Sequence, residues 1–409
     1  MRTFIQNSLL TLLLCCVFAL SSFSSYAQVP INNNKMLKVN PKLKTNQMMI
    51  KQVDPKYKLR EKKAKPATKK ALMRLRNVAV MKDWTFSVGY TKAMDKSIQQ
   101  LTGLKLPRNW TTIAKKQNEF ARQMNTLELK MAKTNRVDLS YIKLANVCAA
   151  SKSKFNYRDI GKVSPVKNQS NCGSCWAFAA MGAYESNYLL RNNRTVDVSE
   201  QDIVSCAGAG SCAGGWHDNV FNYMMTNGVA SESGIPYRAT NGSCRTNVSK
   251  PYRAVNWGFV TVKDDVPSVS ELKNALCKHG SLAVCVKVTN AFRAYTGGVF
   301  NENDNGWINH VVTLVGWDDE KGAWLIKNSW GTWWGDNGYM WIKYGANSIG
   351  YAAAWVKAPK VSKQYVINKE MLTLMQKYKK VKVKSFQTPT LNNSLKLKRT
   401  NNAILKQNN

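Results

Sequence analysis

Gln169-Ser-Asn-Cys-Gly-Ser-Cys-Trp-Ala-Phe178 is the stretch on which the reading of this chain turns. It sets Cys175 directly before a run of small and apolar residues, Ala177, Phe178, Ala179, Ala180 and Met181, which predicts a helix starting at the cysteine. A thiol at a helix N-terminus faces unpaired backbone N–H groups and the positive end of the helix dipole, and both favour the thiolate. The thiolate is a nucleophile that needs a base, and the base needs a group to orient it. The chain has three histidines, His217, His279 and His310. Only His310 lies in an apolar, strand-like run, Asn309-His-Val-Val-Thr-Leu-Val-Gly-Trp317. A second such run, Ala323-Trp-Leu-Ile-Lys-Asn-Ser-Trp-Gly331, carries Asn328. His310 follows Cys175 by 135 positions and Asn328 follows it by 153.

These residues resemble the papain family of cysteine proteases, whose cysteine signature and downstream histidine and asparagine are a standard sequence pattern. The resemblance covers roughly residues 155–355 and rests on ordered blocks. They include Val163-Ser-Pro-Val-Lys-Asn-Gln169, Cys212-Ala-Gly-Gly215, Ile235-Pro-Tyr237 and Lys327-Asn-Ser-Trp-Gly331, followed by Trp334-Gly-Asp-Asn-Gly-Tyr339. It implies an α+β fold of two lobes, one helical and one β-rich, with Cys175 and His310 on opposite walls of a cleft. Helical patterns early in the block and strand patterns after Ser281 agree with that class. The resemblance also implies roles. Gln169 would help Cys175 bind an oxyanion, Asn328 would orient His310, and Trp330 would shield that pair. Gly173, Gly214 and Gly215 would lie against substrate backbone, while Trp216 and Val311 would wall the main selectivity pocket. Its floor would come from Ala352, Ala353 or Ala354, uncharged in every case. Two departures stand out: Asn309 where many relatives have Asp, and Trp333 where a small Gly is common. No His-rich occluding loop appears, so endopeptidase action is expected.

Residues 1–27 read as a secretory signal: Arg2, an apolar stretch from Leu9 to Leu20, and Ser25-Tyr-Ala27. Ten cysteines less the two there leave eight. By the resemblance Cys172 pairs with Cys212 and Cys206 with Cys244, as suits an oxidising compartment. Cys148, Cys277 and Cys285 remain; the last two either bond or are both core thiols.

The net charge of +36 is unevenly spread. Residues 28–149 hold 27 basic and 7 acidic side chains, residues 150–355 hold 19 and 16, and residues 356–409 hold 13 and 1. Such flanks can bind polyanions non-specifically or simply be solvated. The organisation expected is a signal (1–27), a basic pro-region or accessory segment (28–149), a peptidase domain (150–356) and a basic, disordered tail (357–409). Within the second part, residues 28 to about 80 read as flexible and Thr85–Tyr90 as a strand. Ile113, Phe120, Met124, Leu127 and Met131 form a helical stripe capped by Thr111-Thr112. Leu372, Met375 and Tyr378 hint at one short helix in the tail. Whether the N-terminal part fills the cleft is open. Polypeptides are the expected partners, with no metal site, no cofactor, no specific nucleic acid and no membrane contact once the signal is gone. The rival readings are a non-catalytic relative that binds peptides and a cationic polyanion-binding protein.

Overall fold

A computed structural model describes residues 53–134, 147–360 and 368–379, all within one compact unit, 45–409. The expected signal, residues 28–52 and most of the tail lie outside the described residues. In chain order the main elements are α1 (Pro55–Lys62), α2 (Pro66–Met81), β1 (Phe86–Val88), α3 (Trp110–Thr134), β2 (Lys154–Asn156), α4 (Cys175–Asn192), α5 (Glu200–Cys206), β3 (Gly210–Ser211), β4 (Gly214–Gly215), α6 (His217–Thr226), β5 (Asn256–Phe259), α7 (Val269–His279), β6 (Leu282–Val286), β7 (Tyr295–Phe300), β8 (His310–Asp318), β9 (Ala323–Lys327), β10 (Tyr339–Lys343), β11 (Tyr351–Lys357) and α8 (Lys369–Lys379).

One sheet runs in the order β1-β7-β10-β9-β8-β6-β11-β5, with β2 paired to β8. Its strands pair antiparallel except β7 with β10. Helix α4 packs against β6, β8 and β11 on one side and against α5 and α6 on the other. It is therefore buried nearly all round, as its small and apolar run from Trp176 to Ala183 allows. Its limits follow from local chemistry: Asn193 closes it in the left-handed conformation (φ 50°). Ser199 caps α5 through the Asp202 N–H, and Ser268 with Glu271 forms a capping box on α7.

The pleat of β6 sorts two apolar clusters. Ala283 and Cys285 join α4, Val311, Ala352 and Ala354, whereas Leu282, Val284 and Val286 join Val312, Leu314, Trp317 and Trp324 on the opposite face. This decides the open cysteine question. Cys277 packs with the second cluster, so it does not meet Cys285; it is bonded to Cys148, 129 positions away. Cys285 is a free, buried thiol, and Cys172–Cys212 and Cys206–Cys244 are bonded.

Order also begins earlier than expected. Residues 55–81, read as flexible, form α1 and α2. Pro55 and Pro66 sit in the first turns, where a missing N–H costs nothing, and the Asp54 carboxylate caps α1. Docking supplies what the Lys-rich pattern lacks. Tyr57 and Leu72 are fully buried, and Arg76 grips Glu61 through two bonds of 2.7 Å. The stripe helix starts at Trp110, ahead of Thr111-Thr112, and buries Phe120 and Met124. The tail is not wholly disordered: α8 buries Met371 and Met375. No helix among the described residues is long and apolar enough to cross a membrane.

Cys148 is thus part of the domain's framework. Non-reducing peptide mapping should recover it joined to Cys277, with Cys285 alkylated only after unfolding. Cys277→Ala should lower unfolding free energy by about 2–4 kcal/mol, read as a lower midpoint in denaturant.

Candidate active site and the segment that covers it

Cys175 is the first residue of α4 and fully buried. The preceding Ser174 does not cap the helix; its hydroxyl pairs with the Tyr237 hydroxyl at 2.7 Å. His310 opens β8, and the backbone N–H of the next residue, Val311, approaches the Cys175 sulfur. The His310 Nε2 lies 2.9 Å from the Asn328 Oδ1, which also accepts the Ser329 N–H at 2.8 Å. That second bond fixes the amide's orientation. An amide oxygen only accepts, so Nε2 carries the ring proton, and Nδ1, which has no hydrogen-bond partner among the described residues, is left as the basic nitrogen. The Trp330 ring covers His310 with centroids 5.1 Å apart. Gln169 is held on two sides: its N–H donates to the Ser329 carbonyl (2.8 Å), and its Oε1 accepts from the Ser329 hydroxyl (2.7 Å). Ser329 went unnoticed in the sequence because a serine between Asn328 and Trp330 carries no pattern of its own.

The N-terminal segment fills the cleft. The Leu101 carbonyl accepts from the Gln169 Nε2 and the Trp330 Nε1, both at 3.1 Å. Gly103 and Leu104 N–H groups donate to the Asn309 carbonyl (3.2 and 3.1 Å), and the Lys105 N–H donates to the Gly215 carbonyl (2.9 Å). The Gly215 N–H donates to the Gly103 carbonyl (2.8 Å), so Leu104 runs parallel to Gly215. The crossing is glycine on glycine. A Cβ on Gly103 would lie 1.8 Å from the Gly173 carbonyl oxygen, and one on Gly173 would lie 2.6 Å from the Thr102 carbonyl oxygen. Leu104 and Leu106 pack against the apolar cluster that contains Cys175, Trp216, Val311, Cys285, Ala352 and Ala354. Ala353 belongs to the other cluster, so Ala352 and Ala354 are the floor candidates.

Covering the site changes its electrostatics. Burial pushes the Cys175 thiol up to about 12, against backbone N–H groups of Val311, Gly103, Trp176 and Cys175 itself that favour the thiolate. Burial likewise takes His310 down to about 4, although Asn328 favours its charged form. The pair is neutral in this state, where the sequence predicts a thiolate. The helix terminus is in place, but desolvation outweighs it.

The other expected residues fall as follows. Gly214 and Gly215 form β4 beneath the covering segment. Asn309 uses its side chain to bind Val288, accepting its N–H at 2.8 Å and donating to its carbonyl at 3.1 Å. Trp333 is half-exposed, with Lys92 Nζ 4.7 Å from its ring centroid. His217 is fully buried at the start of α6 against Trp216. His279 ends α7 and stacks on Trp355, with centroids 4.0 Å apart.

A thiol at a helix start, an Asn-oriented imidazole across a cleft and a two-lobed α+β frame define a class, the papain-type cysteine peptidases. The family model for papain family cysteine proteases matches residues 151–358, and the chain belongs to that family. A Dictyostelium discoideum relative, gamete and mating-type specific protein A, is 41% identical over 186 residues, which is 44% of this chain and 40% of that protein. Cathepsin L 1 of Paramecium tetraurelia is 35% identical over 278 residues, covering 67% of this chain and 83% of the relative. Among solved structures, digestive procathepsin L2 from Tenebrio molitor larval midgut superposes with a TM-score of 0.56 at 26% identity, over 78% of this chain and 94% of that one.

Because Gly103 crosses Gly173 with no room for a side chain, Gly103→Ala must lift the covering segment. Overpacking of this kind costs about 1–3 kcal/mol. Initial rates of unprocessed precursor on a small fluorogenic peptide should therefore rise by about tenfold or more, with kinetics of the processed enzyme unchanged.

Proposed function

We propose that the protein is a secreted cysteine endopeptidase made as a latent precursor. The observation that carries this reading is Cys175 at the start of α4, beside His310 with its Nε2 on Asn328, under a removable peptide. Secretion is supported by the signal-like residues 1–27 and by three disulfides.

When the segment leaves, water returns, the penalty on both charges falls, and the Cys175 proton passes to the His310 Nδ1. The thiolate attacks the substrate carbonyl carbon, and the oxyanion that forms meets the Gln169 Nε2 and the Cys175 N–H. Each such donor is worth about 3–4 kcal/mol. Collapse breaks the C–N bond while His310 returns its proton to the leaving amine. His310 then takes a proton from water, which attacks the acyl-thioester and releases the acid and the thiol.

Residues 101–105 escape this chemistry through direction. Leu101 lies at Trp330 and Lys105 at Gly215. A substrate whose side chain one residue before the cleaved position enters the wall at Trp216 and Val311 runs the opposite way. The segment therefore offers no carbonyl correctly set for attack.

A processing cut between about 145 and 155 would discard or isolate Cys148. The Cys148–Cys277 bond and the ties of Lys152 to Trp317 and Ser153 to Asp319 oppose that. The cut is assigned to the stretch before Val147.

Cys175→Ala should leave a folded protein with less than about one-thousandth of wild-type turnover after processing, the loss typical when a nucleophile is removed. An epoxysuccinyl probe should label wild-type Cys175 only once the precursor is processed; turnover in the alanine variant would refute covalent catalysis.

The apolar wall sets specificity. Trp216, Val311, Cys285, Ala352 and Ala354 bring no charge to it, so an aliphatic side chain gains about 25 cal/mol per Å² buried while an Arg head loses hydration. Leu should be preferred over Arg one residue before the cleaved position by at least tenfold in kcat/KM, about 1.4 kcal/mol. A fluorogenic pair differing at that one position measures it.

A further inference from the structure

The covering segment does not end at Lys105. Five residues later the chain enters α3, whose 25 residues run along the outside of the domain. The inner face of α3 is matched to β5, the last strand of the sheet. The Gln117 Nε2 donates to the Trp257 carbonyl at 2.6 Å. Asn118 takes both outward groups of Phe259, donating to its carbonyl (3.0 Å) and accepting its N–H (2.8 Å). The Asn256 Nδ2 donates to the Ala121 carbonyl (3.0 Å) and the Asn125 Oδ1 (3.1 Å). Further along, Glu128 and Lys357 form a buried ion pair. The helix thus covers a sheet edge with side-chain amides in place of a neighbouring strand.

The other side of α3 meets α8, from the C-terminal extension. Tyr378 packs on Phe120 with ring centroids 5.6 Å apart, and its hydroxyl joins Glu119 (3.1 Å) and Gln123 (2.9 Å). Lys130 pairs with Glu370 at 3.2 Å. Met371, Leu374 and Met375 are buried in the same apolar cluster as Trp257 and Val356. Helix α3 is therefore seated between β5 and α8.

We propose that α8 is an autoinhibitory latch. With β5 it completes a two-sided seat for α3, and this seat keeps the cleft covered after the chain between 134 and 147 has been cut. Cutting is then not release, and the tail must also leave before the cleft opens. The inference rests on the latent-peptidase reading above. Its physical content is a population shift: contacts made only with α3 in place favour the covered state, and their loss favours the open one.

The test uses the precursor from residue 28 to 409 with two different specific-protease sites, one replacing residues 135–146 and one replacing 361–367. In the Cys175→Ala background the readout is whether the piece up to residue 134 co-elutes with the rest, so it does not depend on activity. Cutting the first site alone should leave the piece bound. Cutting both, or cutting the first in a Met375→Asp variant, should speed its dissociation by about tenfold or more. Tyr378→Phe, which removes only the bonds to Glu119 and Gln123, should give a smaller increase and covers the case in which Met375→Asp does not fold. Equal dissociation with and without α8 would overturn the latch while leaving latency untouched. With Cys175 present, activity should appear in step with dissociation. Dissociation without activity would instead count against the peptidase reading and leave the latch standing.

Discussion

A buried knot of charge beneath the cleft holds its parts in register. Helix α4 is enclosed on every side and yet carries Glu185, which is almost fully buried. A carboxylate there persists only with partners. Lys167 supplies one at 2.8 Å and reaches Glu200 of α5 at 2.9 Å and Asp197 at 2.7 Å. Burial works against the charge on Lys167, but Glu200 and Glu185 outweigh it and hold the ammonium above its usual range. Ser164 donates to the second Glu185 oxygen at 2.6 Å and accepts from the Lys327 Nζ at 2.9 Å. Lys327, hydrogen-bonded to Ser164 and not to a carboxylate among the described residues, is taken down to about 8 by burial. Lys167 stands two residues before Gln169, Glu185 shares a helix with Cys175, and Lys327 directly precedes Asn328. Charge pairing under the floor thus sets the spacing of three groups above it.

The same cleft shows two electrostatic limits on one thiol. The helix start and four backbone N–H groups stabilise a thiolate, whereas complete burial under residues 101–106 opposes it and prevails. The nucleophile therefore does not have to be moved or rebuilt to be silenced. Removing water from around it suffices, and so does returning water to restore it. Latency of this kind costs the catalytic geometry nothing: Asn328 is already on His310, and Ser329 already fixes both Asn328 and Gln169.

Much of this was legible in the sequence, and the reasons are local. A helix start at Cys175 and the apolar stripe of α3 are both written within a few residues of where they act. The Cys–His–Asn set was legible because its members sit in recognisable surroundings. The misses were made by distant partners. Cys148 and Cys277 are 129 positions apart, and which face of β6 a thiol takes cannot be known until the sheet is assembled. Helices α1 and α2 look like solvated lysine-rich chain because Tyr57 must find the Gly335 carbonyl, 278 positions away. Leu101-Thr-Gly-Leu-Lys-Leu106 has no period at all. It reads as a loop until Gly103 is set against Gly173, and only then does the lack of a side chain carry meaning.

That crossing also explains why the covering segment is gripped from both ends. Two glycines in contact bring backbone close enough for hydrogen bonds to Asn309 and Gly215, but they bury almost no apolar surface of their own. A plug made of such contacts is geometrically specific and weakly held. Affinity has to come from elsewhere in the same chain, where each added contact acts at high effective concentration. On one side it comes from β1 paired with β7 and from docked Tyr57 and Leu72. On the other it comes from α3, locked to β5 by amides and backed by α8. Specificity at the centre and binding energy at the flanks is a division that lets a peptide lie across a nucleophile without resembling a good substrate.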